Sequence, residues 1–285
     1  MGLFDIFKRK PSEVPPQVAA QELVPNEPTL QFVNLFYDNK PEINKDDIIS
    51  ELKLRFKNVD SPESEDSLAF FFPEYIVSIT DSSVPAQGAI LSPDAEVNLD
   101  RFTKAFPQSW HWSEIKGVME KCNFEINLTD RMSKNLAHQA RLEFFQKFLC
   151  AVVTVTKPSV IYFRNSEKFI KPDDFLEACD KEQGDFLHGA MNIRLFNIGD
   201  GEVLMDTFGL HAFGIADFEC RFTRKYDPGE IAGVLTNIAY YVFETGDLIR
   251  NDTTIQGIGK NPIWKTRYKE SMAEPKRLVV NVIPN

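Results

Sequence analysis

Apolar and polar positions along the chain alternate between two periods, the mark of a protein that mixes strands with amphipathic helices. Residues 30–37 are apolar and β-rich and predict a strand, followed by a helix over 46–57 that places Ile48, Ile49, Leu52 and Phe56 on one side. A charged loop at 61–66 leads to strands at 68–72 and 75–80, joined at Pro73, and to a short extended piece at 89–91. Residues 99–122 read as helical with a break at Pro107, and 124–128 as a strand. A helix over 134–153 carries Leu136, Ala140, Leu142, Phe145, Phe148 and Leu149, and 160–163 is a buried strand. The charged stretch 164–185, with a short helix near 172–179, is the expected boundary between two modules.

Beyond it, 191–198 and 202–207 flank Gly199-Asp200-Gly201, a tight-hairpin signal. Phe218, Cys220 and Phe222 alternate with Asp217, Glu219, Arg221 and Thr223, the period of a strand with one core face and one polar face. The next helix has complete punctuation: Asp227 as cap, Pro228 at the first position, Glu230 for a capping box and Gly246 as the stop. Ile231, Val234, Leu235, Ile238, Val242 and Phe243 form its apolar stripe, and a strand over 278–283 closes the body. These elements predict an α+β fold of largely antiparallel sheets with helices packed on one face, arranged as two ferredoxin-like modules packed together. The division expected is 1–28, 29–164 and 165–285.

The first segment is different in kind. Five prolines fall within residues 11–28, which predicts a flexible tether between the body and the tip MGLFDIFKRK. Leu3, Phe4, Ile6 and Phe7 with Lys8, Arg9 and Lys10 make that tip a candidate for docking on an anionic membrane or in a partner groove. Its basic residues follow the apolar patch, the reverse of a secretory signal, and Ile6 stands where myristoylation needs Ser or Thr. No run is long and apolar enough to span a membrane, since 144–155 is broken by Gln146, Lys147 and Thr154.

Among 285 residues, 43% are hydrophobic and 24 are Phe, enough to build a core. The formal charge is −10 and becomes −12 outside residues 1–10, which disfavours nucleic acid and suits a basic protein partner. Cys122, Cys150, Cys179 and Cys220 are widely spaced, which reads as buried thiols in a reducing, cytoplasmic setting with no zinc site. No metal or cofactor is expected. Gly257-Ile258-Gly259-Lys260 lacks the P-loop spacing, and no nucleophile elbow, HExxH or dinucleotide fingerprint occurs. His111 lies between Trp110 and Trp112 and His138 within a helix, whereas His188 and His211 border the second sheet.

The most distinctive stretch is 205–219, where Gly209 and Gly214 sit five apart between two strands and require a backbone that bends twice. One reading makes it a ligand-facing loop, with Asp206, Thr207, Asp217 and Glu219 offering oxygens to a cation, a base or an amide-rich partner. The plainer reading makes it a kinked crossover whose acids face water. The run Thr207-x-Gly209-Leu210-x-x-Phe213-Gly214-x-x-Asp217-x-Glu219, then Leu235-x-Asn237-x-x-x-Tyr241 and Asp252-x-Thr254, resembles an uncharacterised bacterial domain-of-unknown-function family. The resemblance extends over 30–258 and implies a cytoplasmic protein, but it carries no activity and no catalytic residue.

With Gly209, His211, Gly214, Asp252 and Thr254 added to the four oxygen-bearing residues, the candidate site serves three functional expectations. The first is a non-enzymatic interaction protein, of immunity type or regulatory, that covers a basic partner. The second is a hydrolase using the acids of the second sheet, which requires Asp206, Asp217, Glu219 or His211 to converge on one pocket. The third is a membrane-surface adaptor acting through residues 1–10.

Overall fold

The computed structural model describes residues 24–64, 67–80, 82–92, 96–180, 186–246, 249–259 and 263–284. The tip residues Leu3, Phe4, Phe7, Lys8, Arg9 and Lys10 lie outside them. Two compact units are present, one of Pro28–Asn192 and one of Ile193–Asn285 together with the segment that precedes Pro28. The fold is α+β, with two six-stranded sheets, each larger than the four strands of a ferredoxin-like unit.

In the Pro28–Asn192 unit the strands are β1 (Phe32–Tyr37), β2 (Ala69–Ile79), β3 (Ser82–Leu91), β4 (Phe124–Arg131), β5 (Val160–Phe163) and β6 (Lys168–Ile170). Their order is β2-β3-β4-β1-β5-β6, and every pairing is antiparallel. The two strands expected around Pro73 are one strand, whose register shifts between Phe72 and Ile76, so the proline sits at a bulge rather than a break.

Helices α1 (Lys45–Arg55), α3 (His138–Thr156) and α4 (Pro172–Asp180) contribute to one core with Val33, Leu35, Ile126 and Ile161. Phe144 of α3 lies 5.0 Å from the Phe72 ring, and Phe56 lies 4.3 Å from the same ring. From the other face of β1 and β5, Phe36, Val160 and Tyr162 join Phe102, Trp112 and Met119 in a second core. The helical stretch expected over 99–122 is therefore three short pieces, 3-10 turns at Leu99–Phe102 and Phe106–Gln108 and α2 at Ile115–Met119, and they cover the other sheet face. Helical segments thus lie on both faces of this sheet. The charged stretch 164–185 falls inside this unit and contains β6 and α4.

In the second unit the strands are β7 (Asn192–Gly199), β8 (Glu202–Phe208), β9 (Asp217–Thr223), β10 (Thr254–Gln256), β11 (Ile263–Glu270) and β12 (Leu278–Ile283). The order is β10-β11-β12-β9-β8-β7, and the β12–β9 pair is parallel. The β7–β8 turn forms as expected, with Gly199, Asp200 and Gly201 all at positive φ. Helix α5 (Pro228–Thr245) begins where Asp227 accepts from the Glu230 N–H at 3.1 Å, ends at Gly246, and packs on β8 and β9. Its Ile231, Leu235, Ala239, Val242 and Phe243 are buried, and the four larger side chains contribute roughly 1.5–3 kcal/mol apiece.

Asn26, within the expected tether, is fixed to this unit. Its Nδ2 donates to the Leu278 carbonyl at 3.0 Å and its Oδ1 accepts from the Leu278 N–H at 3.0 Å. The Pro28–Asn192 unit is therefore an insertion, in sequence, between Asn26 and Ile193.

Candidate functional site

β9 lies inside its sheet between β8 and β12, and this position decides the fate of its acids. Cross-strand register places Asp206 opposite Glu219 and Met205 opposite Cys220, so the carboxylates share one sheet face and the apolar residues the other. The acids were expected to face water; instead Asp206, Asp217 and Glu219 are all 0% exposed. Period-two alternation separates faces, but it does not say whether the second face is wet. Here both faces of the N-terminal half of β9 are covered, and polarity returns to solvent only at Arg221 and Thr223.

Burial of bare carboxylates would be prohibitive, so each is compensated by cations and N–H groups. Arg194 of β7 clamps Asp206 through two hydrogen bonds, Nε to Oδ1 at 3.0 Å and Nη2 to Oδ2 at 2.6 Å. Arg277, immediately before β12, bridges the two aspartates: Nη2 donates to Asp206 Oδ2 at 2.8 Å and Nε to Asp217 Oδ2 at 2.8 Å. The same guanidinium donates to the Thr207 carbonyl at 3.0 Å and the Pro275 carbonyl at 3.1 Å. Two carboxylates and two guanidiniums make the cluster neutral. The Phe208 ring adds a surface for both cations, with Arg194 at 3.8 Å and Arg277 at 4.8 Å from its centroid.

Asp217 is saturated. Its Oδ1 accepts from Thr207 Oγ1 at 3.2 Å and the Leu210 N–H at 3.1 Å, while Oδ2 takes Arg277 and, at 2.7 Å, His211 Nδ1. Burial pushes this carboxyl upward, but His211 and Arg277 more than offset it and hold it at about 2. Burial likewise works against the Arg277 charge, and Asp217 and Asp206 override it, pushing its pKa above the ordinary value. With Asp217 ionised, His211 Nδ1 donates to it, and Nε2 is the ring nitrogen left over. The imidazole stacks on Phe208 at 4.8 Å and keeps 18% side-chain exposure.

The expected double bend is present. Gly209 has φ 135° and Gly214 φ 81°, and between them Leu210–Phe213 forms a single 3-10 turn. This turn delivers the Leu210 N–H and the His211 ring to Asp217. Thr207 joins the bend to β9, since its Oγ1 also accepts from the Phe218 N–H at 2.8 Å.

Glu219 forms a neighbouring pair with Lys269 of β11, and its Oε2 accepts from the Met272 N–H at 2.8 Å. Asp206, Thr207, Gly209, His211, Gly214, Asp217 and Glu219 are thus gathered by the structure, whereas Asp252 and Thr254 are not. Asp252 is exposed and lies 3.5 Å from Arg267, and Thr254 opens β10, with β11 and β12 between it and β9. Sequence reasoning passed over Arg194, Lys269 and Arg277, the cations that determine what the acids do. The available signal was Arg194 in a predicted strand, joined by the tight Gly199-Asp200-Gly201 turn to the strand that carries Asp206.

His111 and the thiols have plainer surroundings. His111 Nε2 lies 2.8 Å from the Phe169 carbonyl, and burial lowers its pKa. All four cysteines are free. Among the described residues no group of three or more His, Cys, Asp or Glu side chains could hold a metal ion, and no helix is long and apolar enough to cross a membrane.

No curated protein and no solved structure matches the chain. Residues 206–283, which begin at Asp206 and run through β12, match the family model of a domain of unknown function, DUF4261.

Proposed function

We propose that this protein acts by binding a basic protein partner rather than by turning over a substrate. The observation that carries this reading is the occupancy of the acids: Asp206 and Asp217 are satisfied by Arg194, Arg277, His211, the Thr207 hydroxyl and the Leu210 N–H inside the unit. Carboxylates committed in this way hold strands together instead of presenting oxygens to a substrate. The negative charge that would attract a partner lies elsewhere. Residues 28–192 contain 18 Lys and Arg against 26 Asp and Glu, so −8 of the net −10 belongs to that unit. Complementary charge of this kind raises association rates and is weakened by salt.

The test is capture by the full-length chain at low and high salt, repeated with exposed Glu42, Glu63 and Glu120 each changed to Gln. A basic protein whose recovery falls with salt and again with neutralisation supports the reading. A partner indifferent to both, or none at native expression, overturns it.

One contact favours a second reading, hydrolysis: the buried Asp217 orients His211, as a carboxylate does for a general base. A panel of ester, phosphate and peptide substrates with native protein and His211→Ala tests it. Activity lost only in the variant supports the reading, and equal rates in both refute it.

A further inference from the structure

Outside the charge network, one pair of thiols lies at the contact between two helices. Cys150 lies in α3 and Cys179 in the last turn of α4, and the two helices pack against each other in the Pro28–Asn192 unit. Cys150 belongs to the core that Cys179 packs against, at the contact between α3 and α4. In α4, Cys179 is four residues after the fully buried Phe175 and beside Ala178, so the face that seats the helix also brings the sulfur to α3. Cys122 and Cys220 differ: Cys122 hydrogen-bonds to Asp38 and the Val118 carbonyl, and Cys220 is fully buried in β9.

We infer that Cys150 and Cys179 form a reversible disulfide that fastens α4 to α3, with a low-molecular-weight disulfide as the oxidant. Cys179 is partly exposed and Cys150 is 7% exposed, which sets the order of attack. The Cys179 thiolate attacks one sulfur of oxidised glutathione and expels a glutathione thiolate, leaving a mixed disulfide. The Cys150 thiolate then attacks the Cys179 sulfur and expels the second glutathione thiolate. The two protein thiols give up two electrons and two protons, and the small disulfide takes them to become two thiols. The neighbouring Cys150 side chain and burial both push the Cys179 thiol up, so the reaction is slow at neutral pH and quickens as pH rises.

Closing the 150–179 loop restricts the unfolded chain, and a loop of this size raises the melting temperature by roughly 5–10 °C. The experiment treats the reduced full-length protein with oxidised glutathione and maps its peptides without reduction. The expected product is a Cys150–Cys179 linked peptide that dithiothreitol removes, that forms faster at higher pH, and that accompanies the higher melting temperature. Cys150→Ser should stop at glutathione on Cys179, with circular dichroism confirming the fold. The inference is overturned if the native protein retains glutathione on Cys179. It is equally overturned if both thiols stay free under conditions that oxidise the guanidinium-unfolded chain.

Discussion

Substituting Arg277→Met keeps the unbranched stem of the side chain but removes the cation that bridges Asp206 and Asp217. Four hydrogen bonds go with it, to Asp217, Asp206, Thr207 and Pro275. Arg194 still neutralises Asp206, and His211 still donates to Asp217, so about one carboxylate charge is left uncompensated in a dry site. Breaking a buried pair from one side costs about 3–5 kcal/mol. At 1.4 kcal/mol per tenfold, amide exchange in β8, β9 and β12 should accelerate roughly 10²–10³-fold or more. Hydrogen-exchange mass spectrometry reads this locally, with peptides of the Pro28–Asn192 unit as an internal control.

Acid adds a second signature. Asp217 sits at about 2, below the ordinary 3.8, so it contributes stability above the ordinary value that is lost as pH falls toward 2. For the native protein that difference amounts to roughly 2–3 kcal/mol. Without Arg277 the upward push of burial has less opposition, and the acid transition of this unit should move to higher pH. Exchange accelerated less than tenfold in β9 and β12, together with an unmoved acid transition, would refute the account of the network as the unit's electrostatic fastening.

Three further substitutions test the surrounding structure. Gly257→Ala places a Cβ 2.3 Å from the Trp264 ring, and overpacking of this kind should cost about 1–3 kcal/mol, read as a lower denaturation midpoint and a shifted tryptophan emission. Asp227→Ala removes the cap that holds the Glu230 N–H and should cost about 1 kcal/mol, visible as faster exchange in the first turn of α5. Phe148→Ala empties a fully buried position against Phe70 and Phe72 and should cost about 3–5 kcal/mol, measured by thermal unfolding.

Much of the fold could be read from local pattern, because its signals were local. The α5 helix was announced by Asp227, Pro228 and Gly246, and the β7–β8 turn by Gly199-Asp200-Gly201, and both formed at those residues. β10 and β11 escaped notice: Thr254–Gln256 is only three residues long, and β11 alternates Lys265, Arg267 and Lys269 with Trp264, Thr266 and Tyr268, a weakly apolar run. The site was half legible. Gly209, Gly214 and the acids around them were marked by composition and spacing, but the identity of their partners was not. Arg277 meets Asp206 across a separation of 71 residues, and no period or motif encodes such a contact.

The parallel β9–β12 pair also sets an order of events on the ribosome. β12 is the strand that joins β11 to β9, so before residue 283 has been made the second sheet exists only as two pieces, β7-β8-β9 and β10-β11. The Pro28–Asn192 unit, by contrast, has all its strands once residue 170 is out. Arg277 arrives with β12, so the cation that bridges Asp206 and Asp217 emerges in the same short interval as the strand that closes the sheet. During vectorial synthesis at about 5–20 residues per second, the nascent chain spends several seconds with one unit complete and the other holding an under-compensated pair of acids. A nascent chain that has emerged only as far as β10 would therefore carry a finished Pro28–Asn192 unit and a second sheet not yet closed, the species a chaperone would meet.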